Sequence, residues 1–261
     1  MLTTDYVPGA PIWVDLGTPD VDAAAAFYGD LFGWEFQSAG PDAGGYGMFT
    51  LDGKVVAAVG PLTEEGVPSS WTVYFHTADA DATVKAVEQA GGTVRFGPMD
   101  VFTQGRMAAF TDPTGAAFAV WQPGENKGLD AVTDPNTLCW TELFTSDPER
   151  SNAFYRSVFG WEADDVPMKG FTYTVVRPTG TGEGASQGGI MGMNEEMLSA
   201  GMPSNWQPYF EVTDCDAVVA KALEKGATSP MPGEDVEGVG RIAVLIDPFG
   251  AVFALLTSTS G

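Results

Sequence analysis

The chain has 261 residues, of which 44% are hydrophobic, and its 16 Phe and 7 Trp supply enough apolar surface for two cores, which excludes a disordered chain. Its 35 acidic residues against 12 Lys and Arg give a formal net charge of −23, which repels nucleic-acid backbones and anionic lipid surfaces. Two cysteines are too few for a disulfide framework, and no stretch has the pattern of a signal peptide or a membrane span, so we expect a cytoplasmic protein that binds neither nucleic acid nor membrane.

The first half of the chain contains two strand-to-helix units of the same kind. A strand at 12–16 leads to Asp20 and a helix that ends near Gly33, and a strand at 72–76 leads to Asp79 and a second helix. Asp before an Ala-rich run is typical of a helix N-cap, and Gly is typical of a helix end. Short alternating stretches separated by glycines follow each helix and predict antiparallel strands. The pattern therefore predicts two β-α-β-β-β modules in this half.

The second half repeats the first. The segment PIWVDLG around Trp13 returns as TLCWTELF around Trp140, 127 residues later (140 − 13), and GRMAAFTDPTGA at Arg106 returns as GRIAVLIDPFGA at Arg241, 135 residues later (241 − 106). The second copy therefore carries an eight-residue insertion. An internal repeat of this length is the strongest constraint that a sequence offers on its fold.

The repeat predicts two domains, 9–122 and 136–258, joined by a Pro- and Gly-containing linker at 123–135. We predict an α+β fold of four βαβββ modules, paired into two tandem domains that meet at a pseudo-twofold interface. One chain would then supply the modules of a dimer, which favours a monomer with an intrachain pseudo-dimer. The DPTG and DPFG segments between apolar strands predict hairpin turns, because Pro fixes φ and Gly supplies a positive φ.

Six short motifs occur in order along the chain. They are Phe27-Tyr28, Phe32-Gly33-Trp34 and Asp112-Pro-Thr-Gly115, with second copies at Phe154-Tyr155, Phe159-Gly160-Trp161 and Asp247-Pro-Phe-Gly250. Together they resemble the vicinal oxygen chelate superfamily, which includes glyoxalase I, extradiol dioxygenases and bleomycin-resistance proteins. The tandem arrangement is similar in particular to actinobacterial glyoxalase-like proteins that are often labelled hydroxylases.

This resemblance implies where a metal would be held. In metal-using members, a divalent ion lies in a cleft on strand positions that carry His, Glu or Gln. The corresponding positions here are Trp13, Thr72, Trp140 and Gln207 on the first strands of the modules, and Ala119 and Ala254 on the last strands. Of these only Gln207 has a ligating side chain, so we expect no metal and no other cofactor.

Strand alternation places an aromatic, weakly polar set of side chains on the same face as those positions. Such a surface suits a planar hydrophobic ligand that stacks on Trp. The predicted ligand-binding residues are Trp13, Asp15, Thr72, Tyr74, Trp121, Trp140, Glu142, Phe144, Gln207 and Tyr209. The resulting hypothesis is a metal-free protein that binds a small aromatic or hydrophobic metabolite or drug.

Two alternatives remain open. In the first, the chain is a metal-independent hydroxylase, isomerase or lyase, and its candidate acids and bases are Asp15, Glu142, Glu211 and the single histidine, His76. In the second, its tryptophans fill clefts that no longer bind ligands, and the chain acts as an interaction protein. The sequence alone does not identify the ligand.

Overall fold

A computed structural model describes residues 1–62, 66–168 and 170–259. Over these residues, two eight-stranded sheets dominate and helices connect their strands, which confirms the predicted α+β fold of tandem βαβββ modules. None of the helices in the described ranges is both long and apolar enough to cross a membrane.

The first half forms one eight-stranded sheet with two helices. Its elements are β1 (Pro11–Thr18), α1 (Val21–Phe32), β2 (Glu35–Ser38), β3 (Gly47–Leu51), β4 (Lys54–Pro61), β5 (Ser70–His76), α2 (Ala80–Gln89), β6 (Thr93–Val101), β7 (Gly105–Thr111) and β8 (Ala117–Pro123). The strand order is β2-β3-β4-β1-β5-β8-β7-β6. Within each module the first and last strands pair in parallel, and the remaining neighbours are antiparallel.

The second half repeats this topology with strand order β10-β11-β12-β9-β13-β16-β15-β14. The connection that leads to its fourth module contains a short helix, α4 (Glu195–Ser199). The elements are β9 (Leu138–Thr145), α3 (Pro148–Phe159), β10 (Glu162–Met168), β11 (Phe171–Arg177), β12 (Gly188–Gly192), α4 (Glu195–Ser199), β13 (Asn205–Glu211), α5 (Cys215–Glu224), β14 (Thr228–Val236), β15 (Gly240–Ile246) and β16 (Val252–Ser258).

The helices begin where the sequence predicts. Asp20 accepts a hydrogen bond from the backbone N of Ala23 at 3.0 Å, and Asp79 does the same for Ala82 at 2.9 Å, so both are N-caps. Gly33 ends α1 with a φ of +76°, a conformation that costs glycine nothing and strains other residues.

The residues divide into two compact units that do not coincide with the sequence halves. Unit one contains residues 1–13, 73–128 and 140–207, and thus most of the modules of β5–β8 and β9–β12. Unit two contains residues 14–72, 129–139 and 208–261, and thus most of the modules of β1–β4 and β13–β16. The predicted boundaries 9–122 and 136–258 stay a prediction.

In unit one, an aromatic core surrounds Tyr155 of α3, whose side chain is fully buried. Its ring stacks on Trp161 with centroids 5.1 Å apart and meets Trp206 edge-on at 5.3 Å. The Tyr155 hydroxyl accepts a hydrogen bond from Trp206 Nε1 at 2.7 Å and donates one to Asp112 Oδ2 at 3.1 Å. This buried Trp–Tyr–Asp chain joins a turn of the first sequence half to a helix of the second.

Unit two contains the same arrangement. Tyr28 of α1 is fully buried, accepts from Trp71 Nε1 at 3.1 Å and donates to Asp247 Oδ2 at 3.0 Å. Burial, followed by the nearby charge of Asp247, raises the pKa of Tyr28 well above 10.0, and burial also raises the pKa of Asp247.

The DPxG segments are turns, as predicted, but they have a second role. Asp112 Oδ1 accepts from the backbone N atoms of Thr114 and Ala116 at 2.8 and 3.0 Å, which closes the turn. Its other oxygen receives the Tyr155 hydroxyl. One carboxylate therefore shapes a hairpin and ties it to a distant helix.

Candidate ligand-binding site

The strand positions that the resemblance assigns to metal ligands do not present a metal donor set. Ala119 and Ala254 are fully buried and carry no donor atom, and Trp140 uses its indole N–H for a hydrogen bond to Tyr173. Among the described residues, no group of three or more His, Cys, Asp and Glu side chains could hold an ion. The side chains at these positions therefore do not fit the metal that the fold family implies.

What occupies these positions in β9 is a hydrogen-bonded chain of three side chains. Trp140 Nε1 donates to the hydroxyl of Tyr173, on β11, at 3.0 Å. The hydroxyl is in turn hydrogen-bonded to the carboxylate of Glu142, which is only 6% exposed. Burial, and next the charge of Glu142, raise the pKa of Tyr173 well above 10.0, so the phenol stays a donor over the whole physiological range. The three residues belong to unit one.

A glycine makes room for this chain. In β12, Gly189 pairs in register with Glu142, and a Cβ atom at Gly189 would lie 1.9 Å from the Tyr173 hydroxyl. The phenol ring can cross β12 only because that atom is missing. A larger residue at Gly189 would separate Tyr173 from both of its partners.

Trp140, Glu142 and Phe144 of β9 share one face of the sheet. On β9, Thr145 Oγ1 lies 2.8 Å from Ser151 Oγ of α3, so the odd-numbered side chains nearby point toward the helix. Alternation then turns Trp140, Glu142 and Phe144 to the opposite face. Phe144 is 7% exposed, whereas Trp140 is half-buried. All seven tryptophans are described, and Trp140 is the one that is not buried.

Gln207 on the neighbouring strand β13 points to the same face. Trp206 reaches Tyr155 on the helix side, so the next residue along the strand turns the other way. Gln207 is 3% exposed, and its Nε2 is buried without a hydrogen-bond partner in the described structure. A buried amide donor that lacks an acceptor carries a free-energy cost, so this atom requires an explanation.

The first sequence half carries a related pair. Tyr46 donates its hydroxyl to Asp15 Oδ2 at 3.0 Å, and Tyr46 precedes Tyr173 by 127 residues (173 − 46), the offset of the repeat. Asp15 and Thr72 are half-buried members of unit two. The unit-one members of the predicted set from this half, Trp13, Tyr74 and Trp121, are 6%, 9% and 7% exposed.

The remaining candidates have structural partners or partial burial. Glu211 accepts from the backbone N and the hydroxyl of Ser258 at 3.0 and 2.7 Å, which fixes the end of β16. Tyr209 is 4% exposed, and its carbonyl accepts from the Cys139 thiol. His76 is half-buried, its Nδ1 has no partner in the described structure, and burial lowers its pKa.

Two surface depressions lie elsewhere. One, of about 450 Å³, runs along α3 beside Asn152 and Arg156, and the other, of about 420 Å³, lies near Arg241 at one end of β15 and β16. Neither contains a residue predicted to bind a ligand. On the face that carries Trp140, both Trp140 and Tyr173 are half-buried, whereas Phe144 is 7% exposed.

Sequence reasoning missed Tyr173 and Tyr46. Tyr46 lies among the glycines 44, 45 and 47, whereas Tyr173 lies in an ordinary alternating strand. In both cases the hydroxyl reaches a strand that the sequence does not mark as a neighbour. Their shared offset of 127 residues was the available signal, since it equals the offset between Trp13 and Trp140.

Comparison with known proteins agrees with this fold. Residues 11–120 match the Glyoxalase/Bleomycin resistance protein/Dioxygenase superfamily, and residues 140–256 match the Glyoxalase-like domain. The chain belongs to this superfamily, with two of its domains in tandem.

Full-length relatives and solved structures support the assignment. The chain is 42% identical over 268 residues to the anthracycline biosynthesis protein DauV of Streptomyces sp. (strain C5), covering 97% of this chain and 94% of that protein. It is 41% identical over 273 residues to the anthracycline biosynthesis protein DnrV of Streptomyces peucetius, covering 99% and 96%. The Mn(II)-bound glyoxalase from Novosphingobium aromaticivorans has the same fold, with a TM-score of 0.63 at 20% identity, over 96% of this chain and 82% of that one.

Proposed function

We propose that this chain is a small-molecule-binding protein of the glyoxalase superfamily that holds a planar aromatic ligand without a metal ion. The observation that supports this most is the half-buried indole of Trp140, which donates its N–H to Tyr173. Trp140 stands at a position that the family resemblance assigns to a metal-ligating side chain. An indole held in a fixed orientation offers a flat apolar face and loses little side-chain entropy when a ring stacks on it.

The relatives agree with an aromatic ligand. Two proteins more than 40% identical over nearly the whole chain are anthracycline biosynthesis proteins, and an anthracycline contains fused aromatic rings. The net charge of −23 favours neutral or cationic ligands over anionic ones. We therefore expect uncharged fused-ring aromatic compounds to be better ligands than aromatic carboxylates or sulfonates.

Calorimetric titration of the chelator-treated protein with fluorenone, xanthone and anthraquinone measures the affinity for each compound and tests the proposal. Trp140→Ala should weaken binding by roughly twofold to tenfold, since one aromatic stacking pair contributes about 0.5–1.5 kcal/mol. Phe102→Ala is the matched control, because Phe102 is 72% exposed on the β6–β7 turn and should leave affinity unchanged. Equal loss in both variants, or no binding by the wild-type protein, would contradict the proposal.

A second candidate function is supported by Glu142. A buried carboxylate that receives the hydroxyl of Tyr173 is a reasonable general base for a metal-independent reaction. In that case Glu142→Gln would abolish turnover of a bound ligand and retain binding, whereas a pure binding protein would show no turnover before or after the substitution.

A further inference from the structure

We infer that Gln207 is the polar determinant of the proposed ligand site and that its side-chain amide donates a hydrogen bond to a carbonyl or quinone oxygen of the ligand. This inference rests on the proposed function, since it names the chemical feature by which an aromatic ligand is recognised. It concerns a donor, and thus a different recognition chemistry from the metal coordination that the fold family uses.

The argument begins with an atom that lacks a partner. Gln207 is 3% exposed, and its Nε2 has no acceptor among the described residues. A side-chain amide nitrogen carries two hydrogens and has no lone pair to offer a divalent cation. The missing partner is therefore an acceptor, and metal coordination through this atom does not satisfy it.

The placement of Gln207 makes a ligand oxygen a suitable partner. The side chain lies on the same face as Trp140 and Glu142, on the strand next to theirs in the sheet. On that face, the Tyr173 hydroxyl already bonds Glu142 and Trp140, whereas the amide nitrogen of Gln207 is a buried donor without an acceptor in the described structure. An aromatic ketone offers a flat ring for Trp140 and a strong acceptor for Gln207.

The amide of Gln207 is buried, so a ligand must displace side chains to reach it. The unpaired donor raises the free energy of the protein before binding, and a ligand acceptor removes this cost on binding. A ligand without the oxygen would leave the donor unpaired and gain nothing from the displacement. The carbonyl group of the ligand should therefore contribute more than its ring system to the preference of the protein for one aromatic compound over another.

Fluorenone and fluorene form a matched pair for the test, because they share a ring system and differ in the carbonyl group. The wild-type protein should bind fluorenone about tenfold or more tightly than fluorene, and Gln207→Leu should reduce this ratio to below about twofold by weakening fluorenone binding alone. Gln207→Glu, which replaces the donor with an acceptor, should bind fluorenone more weakly still. The control is Gln89→Leu, since Gln89 is exposed at the end of α2.

Thermal unfolding separates this role from a structural one. Because the amide has no partner in the described structure, Gln207→Leu should leave Tm unchanged or raise it, since an apolar group of similar size carries no unpaired donor. A clear fall in Tm with an unchanged fluorenone-to-fluorene ratio would assign the amide to a trapped water and overturn the inference. Equal binding of both compounds by the wild-type protein would overturn the inference and leave the proposed function standing, whereas binding of neither would overturn both.

Discussion

Replacing Tyr155 with Phe tests whether the buried Trp–Tyr–Asp chain stabilises unit one. The change removes a single oxygen that lies 2.7 Å from Trp206 Nε1 and 3.1 Å from Asp112 Oδ2. Trp206 and Asp112 are each 4% exposed, so water cannot readily replace the lost hydroxyl. Both partners are therefore left with an unsatisfied polar atom.

The magnitude follows from these two losses. An unpaired buried group costs about 1–3 kcal/mol, and Asp112 keeps its backbone donors on Oδ1, so the total should be about 2–4 kcal/mol. Urea unfolding followed by circular dichroism measures this as a fall in the free energy of unfolding, with the slope m unchanged. The control Thr172→Val removes an exposed hydroxyl from β11 and should stay within about 0.5 kcal/mol of wild type.

A double-mutant cycle makes the test sharper. Trp206→Phe removes the indole donor, so adding it to Tyr155→Phe should cost less than the sum of the two single changes, by about 0.5 kcal/mol or more. A loss below about 1 kcal/mol for Tyr155→Phe, or strict additivity with Trp206→Phe, would refute the reasoning and show that the hydroxyl is not a necessary bridge.

Two more predictions concern the whole molecule. Burial raises the pKa of Tyr28, Tyr155 and Tyr173 well above 10.0, so the folded state holds these protons more tightly than the unfolded chain. The contribution of these three tyrosines to Tm should therefore be constant at neutral pH and fall as the pH rises beyond about 10. Their tyrosinate absorbance should appear only as the protein unfolds, and their titration without unfolding would contradict their burial. Trp161 Nε1 donates to the Gly9 carbonyl at 2.9 Å, so Trp161→Phe should lower the free energy of unfolding by about 1–3 kcal/mol. Hydrogen exchange should also become faster at the backbone N–H of Gly9, which donates to the His76 carbonyl. Unchanged exchange at Gly9 would mean that the indole does not hold this segment.

Local chemistry made much of the fold predictable. Asp20 and Asp79 cap helices because Asp bonds a backbone N–H three residues on, and the Asp112 turn follows from Pro and Gly next to it. These signals need only neighbouring residues. The repeat then extended them from one module to four.

The partners that complete each unit were not predictable, because they are distant along the chain. Asp112 reaches Tyr155 across 43 residues, and Trp161 reaches Gly9 across 152. In the site, Tyr173 meets Trp140 only because β11 and β12 adopt one particular register and Gly189 lacks a Cβ. Alternation placed Trp140 and Glu142 on one face, but it contains no information on a side chain that crosses a strand.

Equilibrium titration of chelator-treated protein with fluorenone, after elemental analysis confirms removal of Fe, Zn, Ni and Mn, tests the central claim most directly. The account predicts saturable one-to-one binding whose affinity is the same before and after chelation, with quenching of tryptophan fluorescence that is reduced in Trp140→Ala. Binding that disappears on chelation and returns with Mn(II) or Fe(II) would contradict it.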